Sequence, residues 1–160
     1  LIQSPLIPSP VKEAASLCAS FERRNSATVG GNIACRRDDS YLGALFSVMG
    51  VKTYAVTPHG EGEKSVEDYF PTTCRRLILY FILDPRKDGW VKRFGNTVSS
   101  HAALIAAESD GRYALSVKGS QMVIGDTPEI YKDVEYVSDM FGSAEYKKYL
   151  ASIVFGLRRK

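Results

Sequence analysis

The spacing of apolar residues along the chain predicts three helices. Residues 10–23 (PVKEAASLCASFER) repeat apolar side chains at every third or fourth position, behind a proline that suits a first helical turn. Residues 40–49 (SYLGALFSVM) have a candidate N-cap in Ser40 and a candidate C-cap in Gly50. The C-terminal segment SAEYKKYLASIVFGLRRK predicts a third helix with Ser143 as its N-cap. The expected apolar face of this helix consists of Tyr146, Leu150, Ile153 and Val154.

Between the first helices and residue 83, the pattern predicts strands and turns. VKTYAVT (51–57) alternates like a strand, and RLILYFIL (76–83) is a continuous apolar run typical of a central strand buried on both faces. We interpret PHGEGEKS (58–65) as a surface turn and VEDYF (66–70) as a short helical or extended link. The pair Gly30-Gly31 is expected to interrupt regular structure.

The second half of the chain predicts an antiparallel sheet. HAALIAAES (101–109) and RYALSVKG (112–119) flank Asp110-Gly111, a dipeptide favoured in tight hairpins, and QMVIGD (121–126) adds a third strand. WVKRF (90–94) is a further strand candidate. Because strands outnumber helices and neighbouring strands suit antiparallel pairing, the predicted fold class is α+β without βαβ repeats.

Composition and charge narrow the class of protein. A chain of 160 residues with 44% hydrophobic and 24% charged residues is typical of one soluble domain, or of two small subdomains that share an interface. The net charge of +3 is too small to predict a nucleic-acid interface. The terminal run Arg158-Arg159-Lys160 is expected to complement a helix C-terminus. No apolar stretch approaches the roughly 18 residues needed to span a bilayer, and no signal-peptide pattern is visible.

The cysteine pattern argues against a metal site within this chain. Cys18, Cys35 and Cys74 show no C-x-x-C spacing, and an odd, sparse count is typical of reduced thiols in a cytoplasmic protein. With two histidines in the chain and no short Cys/His cluster, neither a structural zinc site nor an iron–sulfur cluster is expected. The sequence also lacks a nucleophile–base pair and paired catalytic carboxylates, so no catalytic residue is predicted.

Two stretches of the sequence closely resemble a known family. ERRNSATVGGNIA (22–34) resembles the R-N-x-A-T-[IV]-G-G-N-[IL] signature of flavoprotein subunits in the molybdenum hydroxylase family, which includes xanthine dehydrogenases and carbon monoxide dehydrogenases. GSAEYKKYLASIVFGLRR (142–159) resembles the closing helix of that family's C-terminal subdomain, commonly G-S-A-E-Y-R-x-x-L. The intervening GVKTYAV and SVEDYF also look like the family, so the resemblance runs through nearly the whole chain in order.

The resemblance implies a cytoplasmic FAD-binding subunit of an oxidoreductase. In the family such a subunit takes electrons from a partner's [2Fe–2S] clusters and delivers them to NAD⁺ or another acceptor. The molybdenum cofactor lies on another partner subunit. By resemblance, residues 1–86 form the second FAD-binding subdomain, with an antiparallel or mixed sheet. Residues 87–160 form the smaller C-terminal subdomain, with a three-stranded antiparallel sheet and helices. The family's first subdomain, with an additional glycine-rich phosphate loop, has no counterpart here, and we expect a fragment boundary at Leu1.

The glycine-containing stretch is the candidate cofactor site. By resemblance, Thr28, Gly30, Gly31 and Asn32 line it. Glycines let backbone amides approach a pyrophosphate closely, and a positive φ would point consecutive amides into one concavity. Thr28 can add a hydroxyl donor and Asn32 an amide donor or acceptor. From the residues alone, a glycine pair at an ordinary tight turn is the alternative.

The charged run behind the glycines supplies two further candidates. Many family members carry a Ser-Asp pair about nine residues after the motif Asn, whose carboxylate can accept hydrogen bonds from cofactor hydroxyls. Those positions hold Ser40 and Tyr41, and Asp39, one residue earlier, is a candidate for the same role. Arg36 and Arg37 can neutralise phosphate, although for Arg36 and Asp38 a solvated charge run is the favoured interpretation.

A third family segment falls on WVKRFGNTVSSHAAL, which resembles K-x-x-x-R-x-x-x-D-[IL]-A. Arg93 takes the position of the family Lys, which lies near the flavin ring, and Lys92 is the alternative cation. Thr97 and His101 stand where the family has Arg and Asp. Arg93 is therefore a candidate cofactor contact that can alter flavin electronics. An ordinary surface cation is the alternative, and His101 is expected to be structural.

The sequence leaves three functions open. The first is the FAD-binding electron-transfer subunit just described, with molybdenum-binding and iron–sulfur subunits as partners and no nucleic-acid or membrane partner. The second is an incomplete flavin domain that acts as a non-catalytic assembly or interaction module, as the replacements at Tyr41 and Arg93 suggest. The third is binding of another phosphate-bearing nucleotide at the glycine pair.

Overall fold

The computed structural model describes residues 2–18, 20–71, 76–97 and 100–156. Within these residues the helices are α1 Ser9–Leu17, α2 Phe21–Ser26, α3 Val29–Ala34, α4 Tyr41–Val48 and α5 Ala144–Gly156, with 3₁₀ turns at Glu67–Tyr69 and Pro128–Lys132. The strands are β1 Lys52–Thr57, β2 Gly60–Ser65, β3 Leu77–Ile82, β4 Trp90–Phe94, β5 Leu104–Ser109, β6 Arg112–Val117 and β7 Val123–Gly125. None of the described helices is both long and apolar enough to cross a membrane.

Two antiparallel sheets confirm the α+β class. The first has the strand order β2-β1-β3, and the second has the order β4-β5-β6-β7. The second sheet has four strands rather than the three expected, because β4 pairs with β5 along its whole length, from Trp90 opposite Glu108 to Phe94 opposite Leu104. The proposed division between residues 86 and 87 falls in the connection between the two sheets and stays a prediction.

Short local sequence patterns correctly predicted one hairpin turn, the end of α4 and the start of α5. Asp110 and Gly111 both take positive φ (50° and 78°), as a tight hairpin between β5 and β6 requires. Gly50 has φ of 65° and directly follows Met49, the C-cap residue of α4, so it ends the helix one position after the cap. The hydroxyl oxygen of Ser143 accepts a hydrogen bond from Tyr146 N at 3.2 Å, so the predicted N-cap of α5 is also confirmed.

Helix α4 lies at the centre of the molecule. All eight of its residues are buried, and it packs against α1 and against β4, β5 and β6 of the second sheet. Ser40 Oγ accepts a hydrogen bond from Gly43 N at 2.9 Å and so begins the helix as predicted. The loop that precedes α4 is thereby held against the core, and this loop carries Asp39 and Ser40 of the candidate site.

The N-terminal helices differ from the prediction at two points. The expected continuous helix over residues 10–23 is interrupted after Leu17, because Ser20 caps a new helix by accepting from Arg23 N at 3.4 Å. The prediction that Gly30-Gly31 interrupts regular structure is also wrong. Both glycines lie inside α3, because Thr28 caps that helix and its carbonyl accepts from Asn32 N at 3.0 Å.

The first sheet differs from the prediction in its edges. PHGEGEKS is not a simple turn: its last six residues form β2, which was missed because its glycines and charges are untypical of strands. The apolar run that forms β3 is not a central strand. It lies at the sheet edge, with Leu77 66% and Leu79 52% exposed, because β1 takes the centre. Apolar composition alone does not report strand order.

The buried face of α5 is rotated from the predicted one. Tyr146 is exposed, whereas Lys147 is fully buried and its ammonium lies 2.8 Å from Asp139 Oδ2. The same ammonium donates to the carbonyls of Val137 and Lys118, at 2.8 and 3.2 Å. Three oxygen acceptors satisfy the buried charge, so a lysine can occupy a core position here.

The cysteine and basic-run predictions fall partly outside the described residues. Cys18 and Cys35 are free thiols. Burial raises the pKa of the Cys18 thiol to about 11, so this thiol stays protonated at neutral pH. Cys74 and the run Arg158-Arg159-Lys160 lie outside the described residues.

Candidate functional site

Thr28 organises the start of the candidate site. Its hydroxyl oxygen accepts a hydrogen bond from Gly31 N at 2.9 Å, and this bond caps α3. The hydroxyl proton of Thr28 is not used by that bond, so the side chain can donate to a bound acceptor as predicted. The Thr28 oxygen therefore has a structural role that the sequence analysis did not assign to it.

Gly30 and Gly31 differ in the space that a Cβ atom would have at each position. Neither has a positive φ, so the predicted left-handed arrangement of amides is wrong and their amides follow the helix. A Cβ on Gly31 would lie 3.0 Å from Thr28 Oγ1 and would crowd the cap. A Cβ on Gly30 would meet no protein atom within 4 Å. Space within the described protein therefore does not require a glycine at position 30, and the open space beside it can admit a ligand.

Ser40 fixes the orientation of the Asn32 side chain. Its hydroxyl donates to Asn32 Oδ1 at 2.7 Å while its oxygen caps α4. Because Oδ1 is occupied as an acceptor, the amide NH₂ of Asn32 is left as the group that can donate to a ligand. Ser40 therefore affects the candidate site indirectly, because it orients the Asn32 side chain and caps α4.

A groove with two lobes surrounds these residues. One lobe, of about 470 Å³, has an apolar wall formed by Ala15, Phe21, Val29 and Leu42, and Thr28 lies on it. We call it the apolar lobe. The second lobe, of about 680 Å³, carries Arg23, Arg24, Arg37 and His101 and is called the cationic lobe. The lobes share four lining residues, which are Cys18, Phe21, Arg24 and Asn32. The two lobes therefore adjoin at these residues.

Asp39 is held inside the wall of the cationic lobe. Arg37 donates to both of its carboxylate oxygens, at 2.6 and 2.8 Å, and His101 Nδ1 lies 2.5 Å from Oδ2. Burial by itself would raise the pKa of Asp39, but the hydrogen bonds from Arg37 and His101 outweigh it and hold that pKa at about 2. The carboxylate is ionised, and both oxygens already accept bonds within the chain.

The other charges of this loop are also engaged. Lys118 Nζ lies 2.6 Å from Asp38 Oδ1, and Gly119 N donates to Oδ2 at 3.2 Å. The Arg36 guanidinium lies over the ring of Tyr69, 5.5 Å from its centroid, and Arg36 has a positive φ of 47°. The prediction that Arg36 and Asp38 form a solvated charge run is therefore wrong. These contacts tie the loop to the turn after β6 and to the 3₁₀ turn at Glu67–Tyr69.

Arg93 contacts the groove through its neighbours. Its Nε donates to Tyr41 OH at 2.9 Å, and its guanidinium also donates to the carbonyls of Thr97 and Ser100. Tyr41 and Ser100 line the cationic lobe, whereas Arg93 supports both from behind. Burial raises the pKa of Tyr41, so its phenol stays protonated. Lys92, the alternative cation, is exposed on β4.

Six of the seven candidate residues, all except Arg93, lie within residues 28–40, but several of the residues that line the groove beside them were not predicted. Tyr41 and His101 were not among the candidate cofactor contacts, and Arg37 was offered only as a charge that can neutralise phosphate, yet each lines the cationic lobe. His101 meets Asp39 across 62 positions of the sequence, and such a separation leaves no periodic signal. The run of charges at 36–39 was the available signal, since four adjacent charges beside a glycine motif need partners.

Solved structures of two oxidoreductases have a fold similar to that of this chain. A chain of carbon monoxide dehydrogenase from Hydrogenophaga pseudoflava, in a form that lacks the Mo-pyranopterin moiety of the molybdenum cofactor, matches with a TM-score of 0.82 and 19% identity, over 97% of this chain and 68% of that one. This chain shares the fold of about two thirds of that carbon monoxide dehydrogenase chain. A chain of quinoline 2-oxidoreductase from Pseudomonas putida 86 gives a TM-score of 0.76 at 18% identity, over 90% of this chain and 63% of that one.

A curated relative also matches most of this chain but only part of its own length. The uncharacterized protein YgfM of Escherichia coli K12 is 28% identical over 166 residues, which cover 92% of this chain and 63% of YgfM. The chain thus spans less than two thirds of the length of the curated relatives it matches. No protein-family model matches the sequence. The structural likeness establishes the fold and confirms the resemblance at that level.

Proposed function

We propose that this chain binds FAD in the groove beside Thr28–Asn32 and serves as part of an electron-transfer subunit. In this proposal the subunit belongs to an oxidoreductase of the molybdenum hydroxylase type. Electrons pass from a partner's iron–sulfur cluster to NAD⁺ or another acceptor. The substrate is oxidised on a separate molybdenum-binding partner, so its identity is not encoded in the groove.

The observation that carries the proposal is the joined groove at Asn32. A dinucleotide needs donors and positive charge for its pyrophosphate and an apolar surface for at least one ring system. The cationic lobe supplies Arg23 and Arg24, and the apolar lobe supplies the wall that contains Phe21. Thr28 and Asn32 offer side-chain donors along the same groove. These residues fit FAD.

Each group has a defined task in this arrangement. The Thr28 hydroxyl and the Asn32 amide bind acceptor oxygens, and Ser40 orients that amide. Arg23, which makes no ion pair within the described residues, contributes positive charge to the cationic lobe. Arg93 holds Tyr41 by a hydrogen bond, so the lobe keeps its shape. FAD, when bound, supplies the redox chemistry, because it takes up and gives out electrons in steps of one or two.

A titration of the purified chain with FAD tests this proposal. Flavin fluorescence and the visible spectrum are followed, and saturable binding in the submicromolar range is expected. Thr28→Val removes both the donor and the cap, whereas Thr28→Ser keeps both, so Ser is the matched control. Weak binding by the Val variant alone supports the site. Equal binding by wild type, Val and Ser variants would place any flavin elsewhere.

A second candidate function rests on the first sheet. Strand β3 exposes apolar side chains along the sheet edge, which are Leu77, Leu79, Tyr80 and Ile82. An exposed apolar edge of this kind marks an interaction surface. Under this alternative the chain is an assembly module, and the engagement of Asp39 by Arg37 and His101 agrees with a structural use of the site residues. A folded chain that binds no FAD but loses partner assembly in Leu79→Lys would favour it.

A further inference from the structure

His101 and Asp39 form a carboxylate–imidazole pair in the wall of the groove. Asp39 Oδ2 lies 2.5 Å from His101 Nδ1, and an ionised carboxylate can only accept. Nδ1 therefore carries the proton of that bond. Arg37 Nη2 lies 3.1 Å from the same nitrogen but cannot donate to a protonated one, and it donates instead to Oδ2 at 2.8 Å. The contact with Asp39 thus fixes which nitrogen of the ring faces outward.

The outward nitrogen is Nε2. The hydrogen-bond contacts of the ring among the described residues all run through Nδ1. The His101 side chain is 53% exposed and lines the cationic lobe beside Tyr41 and Ser100. Phe141 meets the ring edge-on, 6.1 Å between centroids at 85°, and limits its rotation. The imidazole is therefore oriented on two sides and presents Nε2 toward the groove and solvent.

We propose that His101, oriented by Asp39 through Nδ1, donates a hydrogen bond from Nε2 in its protonated, imidazolium form to an electron-rich oxygen of the flavin nucleotide bound in the groove. This inference rests on the proposed function and adds a residue and a pH dependence to it. The oxygen belongs either to a phosphate or to the carbonyl edge of the flavin ring, and the two share the same acceptor chemistry. Asp39 is then a positioning residue, and His101 is the residue that contacts the cofactor.

The charges around His101 set the sign of the pH dependence. The groups that face it or its partner are Asp39 and Arg37 from the loop before α4, Arg23 and Arg24 from α2, Tyr41 from α4, Arg93 from β4 and Lys118 from the turn after β6. Asp39 stays ionised because its pKa is held at about 2. The surrounding cations oppose a further positive charge. A bound anion or carbonyl offsets that opposition, so ligand binding and protonation of His101 strengthen each other.

The test compares FAD affinity across pH in three proteins. They are the wild type, His101→Gln and His59→Gln, titrated from about pH 5.5 to about pH 8.5, where an imidazole loses its charge. His59 is the chain's other histidine and lies in the β1–β2 turn, away from the groove, so its variant is the matched control. The wild type and His59→Gln are expected to bind FAD more weakly as pH rises. His101→Gln is expected to bind about tenfold more weakly at low pH and to show a flat profile.

Two shorter ligands locate the accepting oxygen. Riboflavin carries the ring without phosphate, and ADP carries phosphates without the flavin ring. Loss of ADP affinity in His101→Gln places His101 at the phosphates, and loss of riboflavin affinity places it at the ring. In either case the wild-type imidazole, followed by NMR, is expected to titrate at a higher pH when FAD is added. This measurement does not depend on how well the variant folds.

The outcomes separate this inference from the proposed function. If the wild type binds FAD and His101→Gln binds it with the same affinity and pH profile, His101 has no contact and the inference fails alone. An imidazole titration that FAD leaves unmoved overturns the inference in the same way. If the folded wild type binds none of the three ligands, the proposed function and the inference both fail.

Discussion

The hydroxyl of Ser40 donates to Asn32 Oδ1 at 2.7 Å while its oxygen accepts from Gly43 N at 2.9 Å. One side chain thus begins the central helix and orients a candidate ligand-binding amide. This link makes the stability of α4 and the geometry of the groove depend on the same atom.

Ser40→Ala is expected to lower both stability and FAD affinity. Loss of the cap lowers the free energy of unfolding by about 1 kcal/mol, and the Asn32 amide loses its fixed orientation. Ser143→Ala is the matched control, because Ser143 also caps a helix but does not line the groove. Urea unfolding and FAD titration of both variants check this. A Ser40 variant with full FAD affinity would show that the amide orientation does not matter.

Gly30→Ala is expected to separate folding from binding. A Cβ there meets no protein atom within 4 Å, and alanine favours a helix, so the free energy of unfolding stays the same or rises by up to about 1 kcal/mol. FAD affinity is expected to fall at least about tenfold, because the methyl group fills space kept for the ligand. Gly156→Ala in α5 is the control, since its Cβ also meets no atom of another described residue within 4 Å, its chain neighbours and own helix backbone aside. Unchanged FAD binding by Gly30→Ala would remove this position from the site.

Acid is expected to destabilise the fold through Asp39. Its folded-state pKa of about 2 lies below the ordinary value of 3.8, so its contribution is complete above pH 3.8 and is lost as pH falls toward 2. The contribution amounts to about 2 kcal/mol, and Asp39→Asn should flatten this part of the stability profile. Asp84→Asn is the control, because the pair of Asp84 with Arg86 is exposed and screened by solvent, so this variant should change the acid profile less than Asp39→Asn. An acid profile unchanged by Asp39→Asn would contradict the assignment.

Lys147→Met is expected to destabilise the chain by about 3 kcal/mol, because it leaves Asp139 and two carbonyls without their buried donor. Lys148→Met, at the neighbouring exposed position, should change stability by less than about 0.5 kcal/mol. Chemical unfolding measures both. Similar values for the two variants would mean that the buried ion pair adds little.

The features predicted correctly were those fixed by neighbouring residues. The Ser40 and Ser143 caps, the Gly50 helix end and the Asp110-Gly111 hairpin each depend on a few consecutive positions. The edge position of β3 and the pairing of polar β2 depend on which strands meet, and no local pattern reports that. The family signature identified Thr28–Asn32 as candidate site residues. It did not predict that Val29–Ala34 form a helix that Thr28 caps. The contact of Asp39 with His101 required the fold itself.

The central claim is that FAD binds beside Thr28–Asn32, and amide NMR spectra recorded during an FAD titration test it most directly. Saturable shifts are predicted for the amides of Gly30, Gly31 and Asn32 and for residues of the cationic lobe, with Gly62 in β2 unmoved. A folded chain whose spectrum does not change, or changes only at the exposed edge of β3, would contradict the account.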